Sequence, residues 1–309
     1  MGASAPERPL RVNTFLVASN LPLYVGQAKG FFKNRGIDLT LQITPNSRDQ
    51  REGLAAKRFD IALAAIDNAV ALEEATRAGV IVIMGGDNGL NSLFAQPGIQ
   101  SIQDLRGKTV IVDAPDTAYA LLLYKMLKVK GLEREKDYKV EPVGGTNLRL
   151  EAMRRNKHYS ATMLTPPFAI LAEKEGFKHL GEAVSVIGPY QANGAFVLSE
   201  WARANSDLVE DFIRGYIQSL RWALTPAHQG ETVAILAREL ALDSETATRT
   251  YEAAVNPISG LAKDARLDLR GFEGTLKLRA ELERQWSGTA PPAEKYYDLR
   301  YYTRAVKGL

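Results

Sequence analysis

The chain of 309 residues contains no cysteine. Disulfides, thiolate nucleophiles and cysteine-ligated metals are excluded together. Histidine is nearly as scarce. The three residues His158, His179 and His228 form no HxH or HExxH spacing, so a histidine-based metal site is not expected. No apolar run reaches the ~18 residues of a membrane span; the run at Phe15 to Val17 is interrupted by Asn13 and Asn20 and reads as a strand. Charge of one sign is not in excess. The 39 basic and 36 acidic residues are interspersed and leave +3, without the clustered basic face that nucleic acid requires. There is no GxGxxG. Neither Gly85-Gly86 nor Gly144-Gly145 is followed by Lys-Ser/Thr, so nucleotide binding is disfavoured. A GxSxG nucleophile elbow is also missing. The start, Met1 to Pro6, lacks the basic flank and apolar stretch of a signal peptide. Two expectations follow: a cytosolic protein, or a mature chain whose leader has been removed.

The composition is that of a globular protein, 45% hydrophobic and 24% charged. At roughly 100–200 residues per domain, the length implies two domains or lobes. The first two thirds alternate strand and helix patterns. Residues 10–17 read as a strand. Tyr24, Ala28, Phe31 and Phe32 share a helical face that ends at Gly36. Residues 37–43 alternate strictly, as a half-buried strand does. Ser47 with Gln50 reads as a capping box opening a helix to about Arg58. Residues 80–84 are continuously apolar, as in a sheet covered on both faces. The pattern repeats through strands at 108–113, 138–143 and 160–164 with helices between them, which means βαβ units and mostly parallel sheets. After a strand at 195–198 the chain reads as helical, including segments at 206–225, 229–241, 244–255 and 269–286. The expected fold class is therefore α/β and two-lobed, with a helical return. Residues 10–95 and 191–309 form lobe 1, and 97–190 form lobe 2. Two crossings make a hinge, with a ligand cleft between the lobes.

In open parallel sheets, ligands sit beyond the carboxyl ends of strands, where helices begin. Helix amino ends there offer unpaired N–H donors and partial positive charge. The candidate ligand-binding residues are accordingly Ser19, Asn20, Tyr24, Asp67, Asn68, Asp87, Asp113, Asp116, Thr117, Thr165, Phe168 and Asn193. A plainer reading stands beside this one. Asp67, Asp116 and Thr146 serve equally well as helix N-caps, and Tyr24 and Phe168 as core residues. No acid/base pair or activated nucleophile is visible, so no catalytic residue is assigned.

Several stretches resemble one known family. Pro22 to Leu39, with Gly30-Phe31-Phe32 and Gly36-Ile37-Asp38, resembles the opening signature of periplasmic binding proteins of the sulfonate, taurine, nitrate and thiamine-precursor type. Arg58 to Ala62, Asp104-Leu105-Arg106-Gly107-Lys108 and Ala195 to Leu198 resemble later steps of the same pattern. The resemblance covers about residues 10–225. It implies a type II-like binding-protein fold and the solute-binding component of an ABC importer. Such a protein binds without turnover, works with a membrane permease, needs no cofactor, is monomeric, and is periplasmic or lipid-anchored outside the cytoplasm.

There are departures. Lys157 to Ala161 replaces a GxxDA step, and acids stand at four junctions, Asp67, Asp87, Asp113 and Asp116. Acids beside an anionic ligand repel it. They favour a neutral or cationic solute such as an amine or N-heterocycle, although Arg149 could hold a carboxylate. Alternatives are a sulfonate or carboxylate binder, a menaquinone- or thiamine-precursor-type enzyme on the same fold, or a cytosolic ligand-sensing domain. The thiamine-pyrimidine enzymes need a cysteine motif that is missing here.

Overall fold

The computed structural model describes residues 7–309. From the amino end the chain runs β1 (Arg8–Thr14), α1 (Leu21–Ala28), β2 (Ile37–Ile43), α2 (Ser47–Ala55), β3 (Ile61–Ala65), α3 (Asp67–Thr76) and β4 (Val80–Gly85). A second block follows: β5 (Ser92–Ala95), β6 (Thr109–Val112), α4 (Ala118–Val129), β7 (Lys139–Pro142), α5 (Thr146–Arg155), β8 (Tyr159–Leu164), α6 (Phe168–Lys174), β9 (Lys178–Glu182) and α7 (Ala183–Ile187). The chain returns through β10 (Asn193–Leu198). It ends in helices α8 (Ser199–Ala204), α9 (Ser206–Ala223), α10 (Gln229–Glu239), α11 (Ser244–Ala254), α12 (Leu269–Glu283) and α13 (Arg300–Lys307).

Two five-stranded sheets result, in the orders β2-β1-β3-β10-β4 and β7-β6-β8-β5-β9. This is the two-lobed α/β architecture of periplasmic binding proteins. Each sheet is mixed. β10 runs antiparallel to β3 and β4, and β5 runs antiparallel to β8 and β9. In each sheet the antiparallel strand is the one by which the chain arrives from the other lobe.

Two expectations are corrected here. Residues 92–95 belong to the second sheet, not to the first block, so the crossing lies between Gly85 and Ser92. β9 is an additional strand on the edge of the second sheet. Its sequence KHLGE is largely exposed and carries no alternating apolar signal.

Strand periodicity divides the first lobe's core in two. Ile61 and Leu63 of β3, with Ala195 and Val197 of β10, face a cluster containing Phe32, Phe212 and Tyr216. The intervening Ala62, Ala64, Phe196 and Leu198 face Phe59, Phe272 and Tyr296 on the other side. Successive side chains on a strand point to opposite faces, so a continuously apolar run is what a doubly covered sheet demands. The second lobe repeats this, with Leu93, Val110 and Met163 against α4 and Phe94, Leu164 and Leu150 on the reverse. The terminal tyrosines close the first lobe: Tyr296 and Tyr301 are buried, and the Tyr296 hydroxyl donates to Glu74 at 2.7 Å.

Helix α12 departs from the expected return to lobe 1. Its Phe272 and Leu276 enter the first lobe's core, whereas Leu278 and Leu282 join the second's. Glu281 pairs with Lys125 and Lys128 of α4. The helix lies directly on the return crossing, where a Cβ on Gly271 would stand 2.6 Å from the Gln191 backbone nitrogen. Only glycine permits that approach. The helix stops at Glu283, three residues short of the expected end, where Arg284 and Trp286 take left-handed backbone angles.

Candidate functional site

A cleft lies between the sheets, walled by strand-to-helix turns from both. The first lobe contributes Phe15 and Val17 after β1, Ser47 at the start of α2, and Leu63 to Ala65 at the end of β3. The second contributes Asp113, Thr117 and Tyr119 between β6 and α4, and Gly145, Thr146 and Arg149 at the start of α5. Asn193 closes the hinge side. The space left is about 30 Å³, room for little more than ordered water. The lobes are closed on each other.

Direct bonds hold that closure. The Gly145 N–H donates to the Pro45 carbonyl at 2.8 Å. Gly144 has φ +107, and a Cβ there would lie 3.0 Å from the same oxygen. The Ser47 N–H points at both carboxylate oxygens of Asp113, at 3.2 and 3.1 Å. Arg51 of α2 donates to both oxygens of Asp116 at 3.0 and 3.2 Å. On the opposite rim, the Ala18 N–H donates to the Pro166 carbonyl at 3.0 Å. Lys174 reaches Glu245 at 3.2 Å, and Glu173 pairs with Arg249.

Arg149 is the largest fully buried side chain. Its donors serve neutral acceptors: Thr162 Oγ1 at 2.9 Å, the Gly144 carbonyl at 2.6 Å, Thr146 Oγ1 at 3.2 Å and the Met163 carbonyl at 2.9 Å. Among the described residues no carboxylate pairs with it directly. Burial pushes its pKa down on balance, opposed in part by the fields of nearby Asp113 and Tyr119. An arginine in a protein stays charged regardless. Among the described residues, the cleft thus contains one fixed positive charge and, in Asp113, one acid.

The other candidate residues fall into three groups. Asp113, Thr117 and Asn193 line the cleft. A second group stands directly behind it. Asn193 Nδ2 donates to Ser19 Oγ at 3.0 Å and to the carboxylate of Asp87. Burial pushes the Asp87 pKa up, against hydrogen bonds from Gly89, Asn193, Leu90 and Ser19. Asn68 Nδ2 donates to Ser47 Oγ at 3.0 Å. Tyr119, which the sequence reading left out, reaches Asn193 Oδ1 at 3.5 Å, and burial keeps its hydroxyl neutral.

The third group lies outside the cleft lining. Asn20 is spent on Thr14, Phe15 and Tyr24. Tyr24 is a core residue whose pKa is pushed up to about 12 by burial. Phe168 packs beside Phe94 and Leu164. Thr165 is buried, and its hydroxyl has no hydrogen-bond partner in the structure. Asp67 forms a buried two-pronged pair with Arg279 of α12 at 2.7 and 2.6 Å. Asp116 is taken by Arg51; burial raises its pKa, and the Arg51 bond and charge bring it net below the ordinary carboxylate value. The free acidic face that favoured a cation is therefore not formed.

The capping expectations also change. Asn46, not Ser47, caps α2, its side chain accepting from the Asp49 N–H at 2.8 Å. Gln50 turns instead to Asn13. Asp67, Asp116 and Thr146 do not occupy cap positions; Ile66, Thr117 and Gly145 do. Ser47 itself could have been found by the junction rule, since it opens the helix after β2. Among the described residues, no three histidine or acidic side chains converge as metal ligands.

Fold and cleft together define the class of two-lobed binding proteins. The sequence profile described as NMT1/THI5 like matches residues 18–229, and the chain belongs to that family. The expectation drawn from the Gly30-Phe31-Phe32 region is borne out. No curated protein sequence matches the chain significantly. Among solved structures, it is similar to a ligand-binding component of an ABC-type import system from Staphylococcus aureus, solved with zinc bound. The TM-score is 0.79 at 14% identity, over 97% of this chain and 99% of that one. It also resembles the nitrate-binding protein NrtA of Synechocystis PCC 6803, with TM-score 0.81, 11% identity and coverage of 99% and 90%. The alkanesulfonate-binding protein SsuA of Xanthomonas axonopodis pv. citri, bound to MOPS, gives TM-score 0.76, 15% identity and coverage of 95% and 99%.

Proposed function

We propose that this chain is the solute-capturing component of an ABC importer. It closes its lobes over a small neutral or zwitterionic organic molecule and delivers it, unchanged, to a membrane permease outside the cytoplasm. It acts as a monomer with residues of about 7–85 and 193–309 in one lobe and 92–187 in the other, α12 contributing to the cores of both. The observation that carries this reading is the interlobe cleft, where, among the described residues, one buried cation, Arg149, is balanced by one lining acid, Asp113. A solute of zero net charge matches that balance. Phe15, Val17, Leu63 and Ala64 supply apolar walls, while Thr117, Thr146 and Asn193 supply polar partners. The import-component likeness supports the role, and the nitrate and sulfonate relatives support capture of small solutes by this fold. One of the cleft hydroxyls, Ser47, accepts from the Asn68 amide, which is a donor and not the base that an attacking hydroxyl needs.

A thermal-shift screen against amines, amino acids, pyrimidines, sulfonates and aromatic acids tests this. A true solute at 100 times its dissociation constant adds about 2.7 kcal/mol of stability. Mass spectrometry of the recovered solute should show the starting compound. Chemical conversion, or stabilisation only by net anions, would sink the reading.

A further inference from the structure

Resting on that reading of the cleft, we infer that Asp113 is a specificity-determining residue. It is a carboxylate built into the chain that fills the anion position of the closed cleft and turns anionic solutes away. Asp113 follows β6 in the second lobe, yet both its oxygens lie on the Ser47 N–H of the first, at 3.2 and 3.1 Å. That N–H is the first of α2, an amino end that attracts negative charge. The same cavity is lined by the buried guanidinium of Arg149, whose hydrogen bonds all go to uncharged oxygens. A buried cation that cannot discharge calls for a compensating anion nearby. Asp113 supplies it without touching the guanidinium.

The neighbouring acids do not compete for this role. Asp116 is committed to Arg51, Asp67 to Arg279, and Asp87 to Asn193 behind the wall. An anionic solute drawn to Arg149 would meet the charge of Asp113 in a site sheltered from water, where like charges repel far more strongly than in solvent. A neutral or zwitterionic solute meets no such opposition. The simpler account makes Asp113 only a clasp between the lobes. Asparagine keeps an oxygen for the Ser47 N–H, so the clasp account gives Asp113→Asn no change in charge preference.

The probes are methanesulfonate and its uncharged counterpart methanesulfonamide, titrated into the full chain and into Asp113→Asn by calorimetry. The variant should gain roughly tenfold or more in methanesulfonate affinity, the scale of one charge–charge contact in a partly buried site. The ratio of methanesulfonate to methanesulfonamide affinity should rise by a similar factor, because the amide carries no charge for Asp113 to repel while any loss of the clasp weakens both probes alike. The Ser47 amide resonance of the variant should shift on adding methanesulfonate, placing the anion at α2. Absence of a gain, or a gain without the Ser47 shift, overturns the inference. Circular dichroism checks folding, and Asp113→Ser replaces Asp113→Asn if that chain does not fold. The broader solute-binding reading is judged separately, by whether any solute of the screen stabilises the unaltered chain.

Discussion

Replacing Arg279 with methionine removes the one cation bonded to Asp67 among the described residues. In the intact chain, Nε and Nη2 of Arg279 hold both Asp67 oxygens at 2.7 and 2.6 Å, and the side chains are 5% and 1% exposed. Arg279→Met preserves most of the apolar stem but leaves a carboxylate in the interior without a partner. Breaking a buried pair from one side costs about 3–5 kcal/mol, because the remaining charge stays desolvated. Unfolding entropy near 2.1 cal/mol/K per residue, over this chain length, converts that loss to a melting shift of roughly 5–8 °C. Differential scanning calorimetry measures it directly. Asp67→Asn in the Arg279→Met chain removes the stranded charge and should recover at least half of the loss. The reasoning is refuted if Arg279→Met melts within about 1 °C of the unaltered chain, or if the second substitution brings no recovery.

Two further predictions concern acids near the cleft. Asp87 is a carboxylate whose folded pKa is raised by burial. The folded state therefore holds its proton at pH values where the unfolded state, with a pKa near 3.9, has lost it. Stability from this group falls as pH rises from about 4 through the raised value. Melting curves between pH 4 and 8 should show Asp87→Asn gaining on the unaltered chain as pH increases, and a pH-independent difference would contradict the argument. For Asp116, the Arg51 pair is half exposed on the acid's side. Such pairs contribute about 0.2–1 kcal/mol, so Asp116→Asn should weaken solute binding by up to about fivefold. Calorimetry at low and high salt checks this, because screening should shrink the difference; an effect that persists at high salt points to a role other than lobe pairing.

The parts of the fold that could be read from the sequence are those fixed by local periodicity. The alternation of Ile37 to Ile43 and the apolar run at 80–84 mark strands because burial alone dictates their pattern. β5 escaped because four residues between Asn91 and Gln96 are too short for a period to register. β9 escaped because an exposed edge strand has no buried face to write into the sequence. The cleft was legible as a set of strand-to-helix turns, which place Asp113 and Thr117 on it, together with the second crossing, which places Asn193 there. Which acids remained free was not legible. Arg279 lies 212 residues from Asp67, and Arg51 lies 65 from Asp116; no local pattern links them. Helix periodicity placed α12 correctly but could not say that its two faces serve different lobes.

The placement of β10 has a consequence for synthesis on the ribosome. β3 and β4 flank it and do not pair with each other. Until residue 198 emerges, the first sheet exists as two fragments with an unfilled slot between them. Translation at about 5–20 residues per second keeps that slot open for roughly 6–23 s while the second block is made. The second block is not complete then either, since Leu278 of its core arrives some 80 residues later. The halves must therefore mature together, late, with apolar strand edges waiting in the meantime. A nascent chain of this design is one that a ribosome-associated chaperone would be expected to shelter longest across residues 61–85.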